Sequence, residues 1–324
     1  MIRNEILAKL SPLSSEEEAL RDSKDLDRSL YMEKGSCVIE SRRMMASGKM
    51  LELRTHTRFA DFPLHSHDYI EVVYVCSGSV THVVEGETVV LSEGELLFLS
   101  LAARHEILRA GEKDVAVNFM ILPRFFTEVL SMLGEEETPL KRFIIDALSR
   151  KEEGIHYLHF RVSDVLPVQN LVENLLYAYL FGMPNKRKVN QVTMGLLLLQ
   201  LMNHSDRLRL EQGEQAVVLR VLRYIEEHYA DGSFGELCAL LHCDVSALSR
   251  YLKQMTGKTY TDLLQEKRLS QAQFLLRSTQ MNVDQIAAAV GYENASYFHR
   301  LFTRRIGMRP KAYRDENKDS FFIK

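Results

Sequence analysis

The apolar positions between residues 37 and 123 predict a series of short β-strands. Apolar residues form short runs, or alternate with polar ones, in the way that strands with a buried face require. The runs cover 69–76, 80–85, 88–91, 96–99 and 115–122. Glycines separate them, at Gly78, Gly86, Gly94 and Gly111. Regularly spaced short strands with glycine turns are typical of a β-sandwich or β-barrel, so we predict one over 37–123, after a polar, partly helical lead-in over 1–36.

The spacing of apolar positions becomes helical after Arg124. Helices are predicted over 125–133, 139–148, 164–181 and 190–203, with one short strand over 155–162. These elements define a helical connecting region over 124–205, and the polar segment 206–216 is predicted to be a linker. The remainder, 217–315, is predicted to be entirely helical and is followed by a short tail over 316–324. The fold class is therefore multi-domain α+β, with an N-terminal β-barrel, helices after it and an all-α C-terminal domain.

An internal repeat dominates the C-terminal region. At an offset of 50, Ser246 matches Ser296, Arg250 matches Arg300, and Gly257 matches Gly307. Before a turn the offset is 49, and Leu237, Cys238 and Leu241 match Ile286, Ala287 and Val290. Matching chemistry at many fixed positions indicates a duplicated unit.

Each copy meets the requirements of a helix-turn-helix. Cys238 and Ala287 are small residues where the second helix crosses the first, and Gly291 can adopt the positive φ of the second turn. Residues of the second helix that are predicted to face the core are Leu248, Leu252 and Met255 in one copy and Phe298, Leu301 and Phe302 in the other. Helix-turn-helix units are predicted over 234–255 and 282–305.

The polar face of each second helix provides the candidate DNA contacts. A recognition helix reads base edges with its N-terminal half, where Arg suits guanine and Asn suits adenine. The predicted base-reading residues are Ser246, Ser249, Arg250, Asn294, Ser296, His299 and Arg300. The predicted phosphate contacts are Lys253, Lys258, Arg304, Arg305 and Lys311.

The charge distribution agrees with double-stranded DNA as the partner of the C-terminal region. The chain as a whole has a net charge of −3, but residues 217–314 hold 14 basic and 9 acidic side chains, a net charge of +5. A basic segment in an acidic chain indicates that one part meets phosphate. No pair of the four cysteines has CxxC spacing, and no apolar run is long enough to span a bilayer. We therefore expect a protein of the reducing cytoplasm without a membrane partner.

The sequence IAAAVGYENASYFHRLFTRRIGMRPKAYR, at 286–314, closely resembles the signature of the AraC/XylS family of bacterial transcription regulators. The first copy, with LSRYLKQMTGKTYTDLLQEKRLSQAQFLL, is similar to the first helix-turn-helix and connecting helix of that family. The resemblance implies seven helices, with a linker helix at about 260–276 and two recognition helices that enter successive major grooves about 34 Å apart. Two departures are Cys238, where alanine is usual, and a first turn without glycine.

The predicted barrel contains a second resemblance. The spacing His65-x-His67-x3-Glu71-x6-Gly78 resembles the first cupin motif, and the second appears loosely as Gly86-x5-Ser92-x-Gly94, followed by His105. In AraC-type regulators such a domain senses an effector, and polar ligands such as sugars would suit His65, His67, Glu71, His82 and His105. Strand alternation is expected to place His65, His67 and Glu71 on one face of the sheet. A divalent metal at His65, His67, Glu71 and His105 is the lesser alternative, and no cofactor is expected.

Family resemblance also implies a homodimer, an activating role and RNA polymerase as a possible partner. Apolar stripes on the predicted helices comprise Leu171, Leu175 and Tyr179, then Val192, Leu196 and Leu199. They form either an intradomain core or a dimer contact. Two alternatives to an effector-responsive regulator remain open: a metal-dependent cupin enzyme fused to a DNA-binding module, and a constitutive DNA-binding protein.

Overall fold

A computed structural model describes residues 2–22, 26–101, 103–131, 141, 145, 156–209 and 214–317. The chain divides into two units with a boundary in the sequence after residue 210, and each unit is described separately. Of the described residues, the first contains those up to 131, residue 145 and 156–209, and the second contains residue 141 and 214–317.

The described part of the first unit contains eleven strands, which form two sheets. They are β1 Val38–Ile39, β2 Leu51–Thr55, β3 Phe62–His67, β4 Ile70–Ser77, β5 Ser79–Val84, β6 Glu87–Ser92, β7 Leu96–Leu99, β8 His105–Ile107, β9 Val115–Ile121, β10 Tyr157–Phe160 and β11 Leu208–Arg209. One sheet has the order β1-β3-β8-β5-β6 and the other the order β11-β10-β7-β4-β9-β2. β1 and β3 are parallel, and the remaining pairs are antiparallel.

Alternate side chains of both sheets form the core of this unit. Val73 and Val75 of β4 pack in one buried cluster with Val89 and Leu91 of β6. The spacing of two residues within each strand turns these side chains to the same face. The predicted β-architecture is confirmed, and all five predicted strands agree with observed strands to within one residue at each end.

The lead-in is partly helical, as the sequence predicts. It contains α1 Asn4–Leu10, α2 Ser15–Arg21 and a 3-10 turn at Arg28–Leu30, and α3 Ser41–Met44 follows it after β1. Arg58 and Glu17, each 2% exposed, form an ion pair with 2.7 Å between Nε and Oε1. Arg58 also donates to the carbonyl oxygens of Ser11, Pro12 and Glu112 at 3.0–3.2 Å. These bonds hold α2 against the sheets.

Three further helices complete the described part of the first unit: α4 Pro123–Ser131, α5 Leu166–Leu180 and α6 Lys186–Asn203. α5 and α6 pack on each other through residues such as Val172, Leu176 and Leu197, all at most 1% exposed. The helix predicted over 139–148 lies almost wholly outside the described residues. Within the segment predicted to be a linker, β11 pairs with β10 and a helix begins at Glu214, so part of that segment has regular structure.

The second unit is helical throughout its described length. Its elements are α7 Glu214–His228, α8 Phe234–Leu240, α9 Val245–Thr256, α10 Tyr260–Ser278, α11 Val283–Ala289, α12 Ala295–Ile306 and α13 Pro310–Glu316. In the described ranges of the chain, every helix is too short or too polar to cross a lipid bilayer.

Candidate DNA interface and histidine cluster

The sequence repeat corresponds to two copies of a helix pair in the second unit. α8 and α11 begin 49 residues apart, at Phe234 and Val283, and both contain seven residues. α9 and α12 begin 50 residues apart, at Val245 and Ala295, and both contain twelve. The offset therefore changes within the turn between the paired helices, as the sequence predicts.

Equivalent residues begin and end the two second helices. The side chains of Asp244 and Asn294 accept hydrogen bonds from the backbone N–H three residues later, at 2.9 and 3.0 Å. Gly257 and Gly307 end the helices with φ of +70° and +87°, the left-handed conformation that glycine adopts without strain. The two recognition helices therefore share their length and their caps.

The two turns reach a positive φ with different residues. Gly291 has a φ of +87°, as its position in the sequence predicts, while His242 has a φ of +52° in the first copy. Histidine is among the non-glycine residues that tolerate this region best. A Cβ at Gly291 would overlap the carbonyl oxygen of Ala230 and lie 2.7 Å from Nη2 of Arg268. The second turn therefore needs glycine for space as well as for conformation.

Most of the predicted core positions are buried. Cys238 and Ala287 are 3% and 0% exposed where the helices cross, and Leu252 and Phe302 are both 0% exposed. Met255 is 36% exposed, so its predicted core position is wrong. It lies in the last turn of α9, one residue from the helix end, where its side chain extends past the packed surface.

The predicted base-reading residues lie on the outward faces of α9 and α12. Arg250 and Arg300 are exposed, as are Ser246 and Ser296, and Ser249 and His299 are half-buried. Asn294 differs from the prediction because its side-chain oxygen caps α12. Sequence reasoning missed Tyr297, which is 40% exposed beside Ser296 and accepts a hydrogen bond from Gln265 at 3.2 Å. The signal that could have identified Tyr297 in the sequence is its aromatic ring on an otherwise polar helix face.

The predicted phosphate contacts fall into two groups. Lys253, Arg304 and Lys311 are exposed. Lys258 instead forms an ion pair with Glu266, with 2.7 Å between Nζ and Oε1. Arg305 forms an ion pair with Asp262 at 3.2 Å. Contact with a phosphate would require either pair to open.

His65, His67 and His105 of the first unit converge with Glu71 at one point between the two sheets. Nε2 of His105 lies 2.7 Å from Nε2 of His65 and 3.1 Å from Nε2 of His67. Oε2 of Glu71 lies 3.2 Å from Nε2 of His67 and 3.7 Å from Nε2 of His105. The four side chains are 0–4% exposed, and we call them the histidine cluster.

The expectation that His65, His67 and Glu71 share one face of one sheet is wrong. His65 and His67 lie on β3, and His105 lies on β8, which pairs with β3 so that His65 and His105 are opposite each other. Glu71 lies on β4 in the other sheet, because the chain changes sheets after His67. The cluster therefore joins the two sheets.

Burial determines the charge state of these groups. It lowers the pKa of His65 to about 4 and the pKa of His82 to about 3, because a charged imidazole loses its hydration. Burial alone raises the pKa of Glu71, but the charge of His67 and its hydrogen bond outweigh this effect and lower the pKa to about 2. The Glu71 carboxylate is thus ionised, and His65 and His82 are neutral at neutral pH. Ionised carboxylate and neutral imidazole are the forms that bind metal ions.

The donor set fits a divalent transition metal. His65, His67 and His105 have ligating atoms within 4.8 Å of one another. Oε2 of Glu71 is directed at the same point, 3.2 Å from Nε2 of His67 and 3.7 Å from Nε2 of His105. Three imidazoles and a carboxylate are a common ligand set for zinc and related metals.

The two units together define the class of protein. Duplicated helix-turn-helix units with exposed polar recognition faces are a DNA-binding module, and a separate two-sheet unit precedes them. The chain is a DNA-binding transcription regulator. Residues 237–316 match the family model of a helix-turn-helix domain, and residues 58–122 match that of a cupin domain.

Known transcription activators are similar over most of the chain. The HTH-type transcriptional activator RhaS of Salmonella arizonae is 27% identical over 86% of this chain and 96% of its own length. RhaR of Shigella dysenteriae is 22% identical over 79% of this chain and 88% of its own. The C-terminal domain of AraT, a response regulator from Geobacillus stearothermophilus, is 31% identical over 33% of this chain and 91% of its own, with a TM-score of 0.32. The chain belongs to the AraC/XylS family and carries an N-terminal cupin domain.

Proposed function

We propose that the chain is a cytoplasmic, ligand-responsive activator that binds DNA through α9 and α12 and changes its DNA binding when the cupin domain is occupied. The observation that supports it best is the exposure of Arg250 and Arg300 at equivalent positions of two identically capped helices. The similar proteins are activators rather than enzymes, which favours a regulatory cupin over a catalytic one. RNA polymerase is a further partner that activation requires.

Arg250 and Arg300 are proposed to read bases, and Lys253, Arg304 and Lys311 are proposed to contact phosphates. Each of the two arginines lies in the first half of its recognition helix, the part that enters the major groove. Arg304 lies one turn later, nearer the helix end that meets the groove wall. Position on the helix thus separates specific from non-specific contacts.

Replacing Arg300 with Ala is expected to weaken binding to the preferred sequence by about 1–3 kcal/mol, because a bidentate contact with guanine is lost. The target is selected from random DNA with the full chain, and affinity is measured on the target and on unrelated duplex. Arg304→Ala is the matched control on the same helix. It is expected to weaken both duplexes alike and to reduce the slope of log K against log salt concentration by about 0.9. An equal loss on both duplexes for Arg300→Ala would contradict base reading.

A homodimer is proposed to form through α6. Val192, Leu196 and Leu199 are 44%, 48% and 37% exposed, so the intradomain core proposed for this stripe does not account for them. Their spacing places them on one face of the helix. Apolar side chains exposed in a row are typical of an interface, and a dimer would present two DNA-binding units to paired half-sites.

Two kinds of ligand are candidates for the cupin domain. A sugar or related metabolite agrees with the polar residues, but His65, His67, Glu71, His82 and His105 are 0–4% exposed and already touch one another. A sugar would therefore reach them only after the surrounding residues move. The convergence of four ligating atoms favours a metal ion as a second candidate, which His65, His67, His105 and Glu71 would hold and which would cross-link the two sheets.

Metal analysis of the purified full chain separates the candidates. If a metal occupies the cluster, chelator-treated protein is expected to bind about one equivalent of Zn²⁺ or Co²⁺ and to unfold at a higher temperature with it, since a ligand that binds only the folded state stabilises it. His105→Ala should abolish this rise, whereas the exposed-site variant His242→Asn should keep it. A rise in unfolding temperature with a sugar, and none with either metal, would favour the metabolite. No response to either would indicate constitutive DNA binding.

A further inference from the structure

We infer that His82 is a positioning residue that holds His105 in the orientation needed to bind a metal ion in the histidine cluster. This inference rests on the proposed metal occupancy. His82 was predicted to contact an effector directly. Its position behind His105, away from the point where the ligating atoms converge, indicates a different role.

His82 contacts the nitrogen of His105 that faces away from the cluster. Nδ1 of His82 lies 3.3 Å from Nδ1 of His105, and both side chains are 0% exposed. His82 lies on β5, and Val84, two residues further along the same strand, pairs with His105 of β8. The two imidazoles are therefore diagonal neighbours on adjacent strands, with 5.3 Å between ring centres.

The hydrogen atoms follow from this arrangement. If Nε2 of His105 binds a metal, the neutral ring carries its hydrogen on Nδ1. The atom placed to accept that hydrogen is Nδ1 of His82. Such a hydrogen bond fixes the tautomer and the ring orientation of a metal-binding histidine, and its loss typically lowers metal affinity about 10–100-fold.

Other members of the cluster have their own supports. Nδ1 of His65 donates to the carbonyl oxygen of Pro63 at 2.8 Å, which leaves its Nε2 free to bind a metal. Oε1 of Glu71 accepts from Asn118 at 2.7 Å, and Asn118 in turn contacts Nδ1 of His56 at 3.2 Å. The ring of His67 stacks on Tyr69 with 4.7 Å between centres. His82 provides the corresponding support for His105.

The choice of substitutions tests the position of one acceptor atom. The side-chain oxygen of Asn can occupy the place of Nδ1 of a histidine, whereas the amide of Gln reaches the place of Nε2. His82→Asn is therefore expected to keep metal affinity within about threefold of the natural protein. His82→Gln and His82→Leu are expected to lower it about 10–100-fold.

Affinity is measured on the full chain by competition between Co²⁺ and a coloured chelator, and the visible absorption of bound Co²⁺ reports ligand geometry. Thermal unfolding of the metal-free variants shows whether each one folds. Loss of affinity in Gln and Leu variants that fold as well as the Asn variant, with an altered Co²⁺ spectrum, would support positioning by His82. Equal affinity in all three variants would overturn it while leaving the metal site intact. Failure of the natural protein to bind Co²⁺ would overturn both the metal site and this inference.

Discussion

Gly291→Ala is expected to destabilise the second unit by about 3 kcal/mol and to remove specific DNA binding by the second helix-turn-helix. The substitution adds a Cβ that overlaps the carbonyl oxygen of Ala230 and approaches Arg268, at a residue with a φ of +87°. A non-glycine residue in this region costs on the order of 1–3 kcal/mol before any steric overlap. The measurement is chemical unfolding of the full chain, followed by affinity for the selected DNA target.

Gly307→Ala is the matched control for this prediction. Gly307 has the same φ of +87°, but in the described part of the chain no atom beyond its own chain neighbours lies within 4 Å of the position its Cβ would take. Only the conformational cost applies, which we expect to be about 1 kcal/mol. Equal losses from the two substitutions would show that backbone approach at Ala230 has no role in the requirement for glycine at 291.

Glu17→Ala is expected to destabilise the first unit by about 3–5 kcal/mol, because it leaves the guanidinium of Arg58 buried without an opposite charge. Both side chains are 2% exposed, and the carboxylate contacts the guanidinium at 2.7 and 3.1 Å. Thermal and chemical unfolding of the full chain would measure the loss.

Glu33→Ala provides the comparison with an exposed ion pair. Glu33 contacts Arg42 at 2.7 Å, but the two side chains are 57% and 67% exposed. Surface pairs of this kind contribute about 0–1 kcal/mol. The assignment of the lead-in as an integral part of the first unit would be wrong if Glu17→Ala cost no more than Glu33→Ala.

Local signals in the sequence were sufficient for the second unit. Apolar positions at helical spacing, helix-starting residues such as Asp244 and Asn294, and the stop at Gly257 and Gly307 all agree with one another. They predict the two helix pairs and the changed offset. The positive φ of His242 could not be predicted, because at a histidine it is set by packing around the turn rather than by the residue type.

Several features of the first unit could not be predicted from patterns in the sequence. β3 was not predicted, since its inward-facing positions include His65 and His67, and polar residues there look like an exposed face. β8 contains three residues and offers too short a pattern to detect. The burial of Glu17 depends on Arg58, 41 residues later, and the residues near Glu17 in the sequence do not indicate this ion pair.

In the candidate sites, too, features set by local periodicity could be predicted, and contacts between distant residues could not. Exposure of Arg250 and Arg300 follows from helical periodicity, so the sequence could predict it. The pairing of Lys258 with Glu266 depends on a helix-to-helix turn, and the contact between His56 and Asn118 joins residues 62 apart. Such contacts are products of the tertiary structure and became visible only there.

The two recognition helices agree in their caps and differ in the residues they present. Where α9 has Ala247 and Ser249, α12 has Tyr297 and His299 at the equivalent positions. Two helices of the same length and with equivalent caps therefore present different side chains to DNA. The base pairs preferred by one helix need not be those preferred by the other. A single protomer would then recognise an asymmetric DNA sequence. Such a site would fix the direction in which the bound protein faces along the DNA.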